Sequence, residues 1–101
     1  MTSSPDRDLQ ILDVIACLRE GEVATYGDIA HDAGFPNLSR LVGHLLASTD
    51  ADLPWWRVVN VSGRLVPGSE IEQAERLRAE GVLCADGRVH SARYGRFSGR
   101  S

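Results

Sequence analysis

The chain has 101 residues, enough for one domain, and its 43% apolar and 25% charged content is that of a globular protein rather than a disordered one. No apolar run approaches the roughly 18 residues of a membrane span, and Met1 to Asp6 shows neither the basic nor the apolar region of a signal peptide, so a cytoplasmic protein is expected. The net charge of −3 conceals an asymmetry: residues 1–36 hold two arginines against seven acids, and residues from 37 onward hold nine against seven, with no acid after Asp86. That is the layout of a protein with one basic face.

Ser4-Pro5-Asp6 reads as an N-cap, a proline at the first helical position and an acid in the first turn. The helix it opens runs to about Arg19, with Ile11, Leu12, Ile15 and Leu18 on its apolar face, and Gly21 stops it. Residues 21–28 read as a loop ending in a capping box, Thr25 with Asp28, before a short helix through Ile29 and Ala30 that closes at Gly34. Asn37 is the expected cap of a third helix, Leu38 to about Ala47. This helix has a full core stripe, Leu38, Leu41, Val42, Leu45 and Leu46. Its other side is smooth, with Ser39, Gly43 and Ala47 at four-residue spacing and Arg40 and His44 beside them. Such a face allows close approach to another surface, and Arg40 would be costly inside a core. Two short helices joined by Gly34-Phe35-Pro36 have a helix-turn-helix outline.

A polar loop, residues 48–52, leads to Pro54-Trp55-Trp56-Arg57 and the β-like run Val58-Val59-Asn60-Val61. Adjacent tryptophans along an extended segment point to opposite sides, one toward a core and one toward a surface or pocket. Arg64-Leu65-Val66 is a return strand or an irregular wing. Ser69 and Glu72 form an expected capping box for a helix through Ile71, Ala74 and Leu77 to Glu80, closed by Gly81. Asp86-Gly87 marks a hairpin, and from Ser91 the Arg/Gly/Ser-rich end is expected to fray. The domain is therefore placed at residues 1–90, with a flexible tail at 91–101. Cys17 and Cys84 make neither a disulfide framework nor a zinc site, and His31, His44 and His90 have no metal spacing. No metal or cofactor is expected, and nothing marks a self-pairing surface, so a monomer is expected.

Three motifs together resemble the DNA-binding domain of O6-alkylguanine-DNA alkyltransferases: Gly21–Ala30 (GEVATYGDIA), Ser39-Arg40-Leu41-Val42-Gly43, and the Pro-x-x-Arg-Val of Pro54 to Val58. The resemblance covers about residues 8 to 82 and implies a winged helix-turn-helix, mainly α with a small β wing. In that family the third motif reads Pro-Cys-His-Arg-Val, with a nucleophilic cysteine, a histidine that activates it and a glutamate that orients the histidine. Here Trp55 and Trp56 stand at the cysteine and histidine positions, and Glu80 matches the glutamate with nothing left to orient. Indole is neither nucleophile nor base at neutral pH, so no catalytic residue and no enzymatic alkyl transfer are expected. Tryptophan at the cysteine position is the mark of alkyltransferase-like proteins, which resemble the enzymes but only bind O6-alkylguanine in DNA and pass it to nucleotide excision repair.

The resemblance implies a set of roles. Tyr26 sits beside the phosphate of a flipped nucleotide, and Arg40 enters the base stack. The smooth Ser39, Gly43 and Ala47 face suits a minor groove, and His44 is placed on the third helix to reach phosphate. Trp55 lines the lesion pocket, with Trp56 beside it in a role left open. Arg57 braces the site through backbone groups, and Arg64 to Ser69, including Val66, forms the outer wall. Arg64 is either a base or phosphate contact or a solvated charge. The leading alternative is a winged-helix transcription regulator or architectural DNA binder without lesion preference.

Overall fold

A computed structural model describes residues 4–99. Strand β1 (Glu22–Thr25) is its divider. It lies between two parallel neighbours, β2 (Val58–Val59) and β5 (Tyr94–Gly95), in the order β2-β1-β5. Because side chains alternate along a strand, consecutive residues feed different cores. Ala24 and Val58 join Ile11, Ile15, Ile29 and Val42 on one side. Val23 and Val59 join Leu65, Leu77, Val82 and Val89 on the other.

The first core is closed by α1 (Ser4–Ala16), α2 (Tyr26–Asp32) and α3 (Ser39–Ser48). The expected cap around Ser4 and Pro5 falls on side chains outside the described residues. Helix α1 ends at Ala16, short of Arg19, because the Arg19 amide donates to Glu22 Oε1 and Gly21, at φ 86°, turns the chain into β1. The loop expected at residues 21–28 is instead strand β1 over Glu22–Thr25, stabilised by pairing with segments far along the chain, followed by the start of α2 at Tyr26. The Thr25–Asp28 capping box forms in both directions, at 3.0 and 3.1 Å. Asn37 does not cap α3: it lies in the preceding turn, and the cap position is Leu38, which offers no side-chain acceptor.

The second core holds α4 (Glu70–Ala79), the hairpin β3 (Leu83–Ala85) and β4 (Arg88–Ser91), and the bridge from Arg64 to Arg88 that adds a third segment to the wing. The hairpin turns at Asp86 and Gly87, both at positive φ (56° and 76°), as a two-residue turn of the tight mirror-image type requires. Ser69 is the N-cap of α4 but makes no side-chain cap, so the box with Glu72 is not formed: at ψ 14° Ser69 is not extended. Ala74, Leu77 and the polar Gln73 are buried along α4, while Ile71 is 78% exposed.

The end of the chain is not frayed through residue 99. Gly95 pairs with Val23, Ala92 is buried, and Phe97 packs on the second core. Arg19 stacks on Tyr94, 3.6 Å from the ring centroid. Arg96 donates to both carboxylate oxygens of Asp28. Hydrogen bonding from Arg96 holds the Asp28 carboxyl below its ordinary pKa, against the effect of burial and with help from Thr25. Polar composition pointed to a loose end; one strand pairing and these side-chain anchors overrule it.

Gly95 is essential to that pairing. It sits at φ 89°, and a Cβ there would lie 2.3 Å from the Val23 carbonyl oxygen. Gly95→Ala is expected to lower the unfolding free energy by about 2 kcal/mol or more. Gly34→Ala, at a similar φ but with nothing within 4 Å, is expected to cost about 1 kcal/mol. Urea denaturation of the two variants checks the difference.

Candidate nucleic-acid interface

Helices α2 and α3 pack so that Tyr26, at the start of one, faces Gly43 on the other. A hollow of about 270 Å³ opens there, lined by Tyr26, Ser39, Arg40 and Gly43. A methyl group on residue 43 would lie 3.7 Å from the Tyr26 ring, so glycine is not demanded by a clash; it widens the hollow. Burial raises the Tyr26 phenol above its ordinary pKa, so it stays a neutral hydrogen-bond donor at neutral pH. Arg40 is exposed and has no ion-pair partner among the described residues. His44, one turn further along α3, is also exposed. None of Trp55, Trp56, Arg57, Arg64 and Val66 lines this hollow.

The tryptophans are not on an extended segment. Residues Trp55–Arg57 form a turn of 3-10 helix, with the two indoles edge to face at 6.2 Å and 88°. The direction of each ring is therefore set by the turn rather than by strand alternation. Trp56 packs on the second core, while Trp55 is half-buried and belongs to neither core.

Glu80 does have groups to orient, contrary to expectation. Its carboxylate accepts the Trp56 indole N–H at 2.8 Å, the Gly21 backbone N–H at 3.0 Å and Arg57 Nη2 at 2.6 Å, with Arg57 Nε at 3.0 Å. Arg57 also donates to the Leu18 carbonyl at 2.7 Å, a backbone brace of the kind expected of it. The outer face of Trp56 carries the Arg76 guanidinium, 4.7 Å from the ring centroid. Burial pushes the Glu80 carboxyl up, but the bonds from Arg57, Gly21 and Trp56 outweigh it, and its pKa lies below the ordinary value.

Gln73 is the organising residue that motif reading passed over. It is 0% exposed. Its amide nitrogen donates to the Trp56 and Val58 carbonyls, both at 3.1 Å, and its amide oxygen accepts the Val66 N–H at 2.7 Å. One side chain thus ties the tryptophan turn to the wing segment. The available signal was a polar residue beside Ala74 and Leu77 on the buried stripe of α4. Arg64 stands apart, exposed on the wing, with its amide held at 2.9 Å by the Asn60 side chain.

A family model described as the DNA-binding domain of 6-O-methylguanine DNA methyltransferase matches residues 6–82. The chain belongs to this family, as an alkyltransferase-like member. It is similar to a DNA base-flipping protein of Vibrio parahaemolyticus, 36% identical over 85% of this chain and 91% of that one. It is also similar to alkyltransferase-like protein 1 of Schizosaccharomyces pombe, 34% identical over 72% and 73%. Among solved structures, S. pombe Atl1 in complex with damaged DNA containing O6-carboxymethylguanine superposes with a TM-score of 0.71 at 30% identity, covering 78% of this chain and 79% of that one. Mycobacterium tuberculosis O6-methylguanine methyltransferase gives 0.65 at 29% identity, and the alkyltransferase-like chain spans 52% of its length. The winged helix-turn-helix is therefore the fold of this chain, and residues 83–99 of that fold lie beyond the family match.

Two outcomes follow from the buried bonds. Because the folded Glu80 pKa is depressed, its contribution is complete above the ordinary carboxyl value of 4.5 and is lost as pH falls through the lower folded value. Glu80→Gln is expected to flatten this part of the acid-unfolding profile and, by leaving Arg57 without its counter-charge, to cost about 3 kcal/mol at pH 7. Gln73→Leu strands three backbone groups and is expected to cost about 2 kcal/mol or more, measured by thermal unfolding.

Proposed function

We propose that the protein binds O6-alkylguanine in duplex DNA, extrudes the damaged nucleotide and leaves the alkyl group in place. The observation that carries this reading is the turn at residues 55–57. It presents two indoles, and the only carboxylate it engages among the described residues is already committed to Trp56, Arg57 and Gly21. Such a turn offers no nucleophile and no free base. Cys84 does not replace one, because it is buried and burial raises its thiol pKa against the opposing charge of Arg78. Cys17 lies just past α1, away from the turn in sequence and exposed. The names of the relatives, a base-flipping protein and an alkyltransferase-like protein, support the same reading.

The lesion lies inside the base stack, so recognition requires extrusion at a cost of a few kcal/mol. The Tyr26–Gly43 hollow has the chemistry for it. A neutral phenol faces the backbone of the flipped nucleotide, and Arg40, without an ion-pair partner among the described residues, fills the vacated stack. The low relief of Ser39 and Gly43 suits a groove about 6 Å wide, and His44 reaches phosphate at its edge. Trp55 supplies an apolar wall for the alkyl substituent. Trp56, anchored through Glu80, holds Trp55 edge-on, and Arg57 braces the turn. Val66 and Arg64 bound the pocket from the wing. The retained lesion is then passed to nucleotide excision repair, a step supported here by family resemblance alone.

Competition between plain and O6-methylguanine duplexes tests the reading. Preference for the lesion, with the masses of protein and DNA unchanged after incubation, is the expected result. Equal affinity would instead mark a DNA binder without lesion preference. Arg40→Ala is expected to weaken binding by about tenfold to a hundredfold. Trp55→Ala is expected to leave thermal unfolding nearly unchanged while reducing the ratio of lesion to plain affinity.

A further inference from the structure

The carboxylates of the acid-rich first third of the chain do not line the Tyr26 hollow, yet they shape a second concave surface. One hollow of about 310 Å³ lies between α1 and the start of β1, with Val14, Cys17 and Leu18 on its floor and Asp13, Glu22 and Asp32 around it. A second, of about 360 Å³, runs along α2 to the C-terminal segment and includes Asp28, His31, Gly95 and Arg96. The two share Leu18, Glu22 and Asp32, so they form one trough with an aliphatic floor and carboxylates along its edges.

The trough and the Tyr26 hollow use opposite sides of α2. At about 100° per residue, Asp28, His31 and Asp32 lie roughly 140° to 240° around the helix from Tyr26. A partner can therefore occupy the trough while DNA occupies the other face. Four carboxylates exclude a phosphate backbone from it. They suit a cation, and the trough already holds one: the Arg96 guanidinium, on Asp28. Asp13 and Glu22 have no cation partner among the described residues, and Asp32 has only the exposed His31, at 3.7 Å.

We infer that this trough is the docking site for a basic, aliphatic-bearing peptide segment of a partner protein, whose leucine-like side chains cover Val14 and Cys17 while its arginines or lysines meet Asp13, Glu22 and Asp32. Apolar contact supplies the favourable burial, and the carboxylates set orientation and reject acidic segments. The site needs no lesion and no DNA, so it stands or falls separately from the function proposed above.

The test is a titration of the isotope-labelled, full-length chain, without DNA, using a short synthetic peptide of alternating leucine and arginine, and separately its leucine–glutamate counterpart. Amide shifts confined to Val14, Leu18, Glu22, Ala24 and Asp32, seen with the arginine peptide alone and reduced by added salt, are expected. The combined variant D13N/E22Q/D32N is expected to weaken that binding by about tenfold. Cys17→Arg, which places a cation on the exposed floor, is expected to abolish it. Neither variant is expected to change affinity for O6-methylguanine duplex DNA. The inference is overturned if no shifts appear, if both peptides give the same shifts, or if the shifts map to another face. It is also overturned if both variants bind like the parent, or if the trough residues respond instead to protein concentration, which would make a second copy of this chain the occupant.

Discussion

The carboxylate of Glu80 is where three distant parts of the chain meet. It sits at the end of α4, with its side chain 10% exposed, and takes hydrogen bonds from the turn before β1, from the tryptophan turn and from Arg57. Arg57 carries the connection on to the Leu18 carbonyl. Buried charge is tolerable only when paired and fully bonded, and removing one partner leaves the other uncompensated. The geometry around Glu80 is consequently all or nothing, and the position of Trp55 depends on it. Trp56 fits this arrangement because indole is a donor only: it gives the carboxylate an N–H without competing for its charge.

The sheet serves as a partition more than as a surface. With a side-chain period of two, strands as short as β1 and β2 supply adjacent valines and alanines to two separate cores. One core supports the helices that carry Tyr26 and Arg40. The other supports α4, the wing and Trp56. Gln73 joins the tryptophan turn to the wing from inside the second core, through the only kind of side chain that can donate to two carbonyls and accept from an amide at once. Parallel pairing needs a long crossover between strands; α2 and α3 fill the one between β1 and β2, so the helix-turn-helix pair is itself the connection that builds the sheet.

The closing segment, residues 92–99, extends this arrangement beyond the region shared with the family. β5 covers the free edge of β1, and Arg96 reaches the same Asp28 that caps α2. The start of the Tyr26 helix is therefore held both by its own capping box and by the closing segment. The same segment supplies one wall of the acidic trough, on the side of α2 turned away from Tyr26.

What was legible in the sequence was local. The three reading-domain helices, the Thr25–Asp28 box, the positive-φ turn at Asp86-Gly87 and the smooth, arginine-bearing face of α3 each depend on residues within about four positions of one another, where helical period and capping chemistry act. That indoles stand at positions 55 and 56 was legible too, since it rests on residue identity alone. The strand character of residues 22–25, the ordered end of the chain, the 3-10 turn at the tryptophans, the buried Gln73 and the partners of Glu80 were decided only in the folded chain. Apart from the bonds within the 3-10 turn, which are local, the deciding contacts run from the 15 positions between Val58 and Gln73 to the 72 between Glu22 and Tyr94. Such pairings form only after the chain has paid the entropy of bringing its distant segments together, and no local preference of the residues involved announces them.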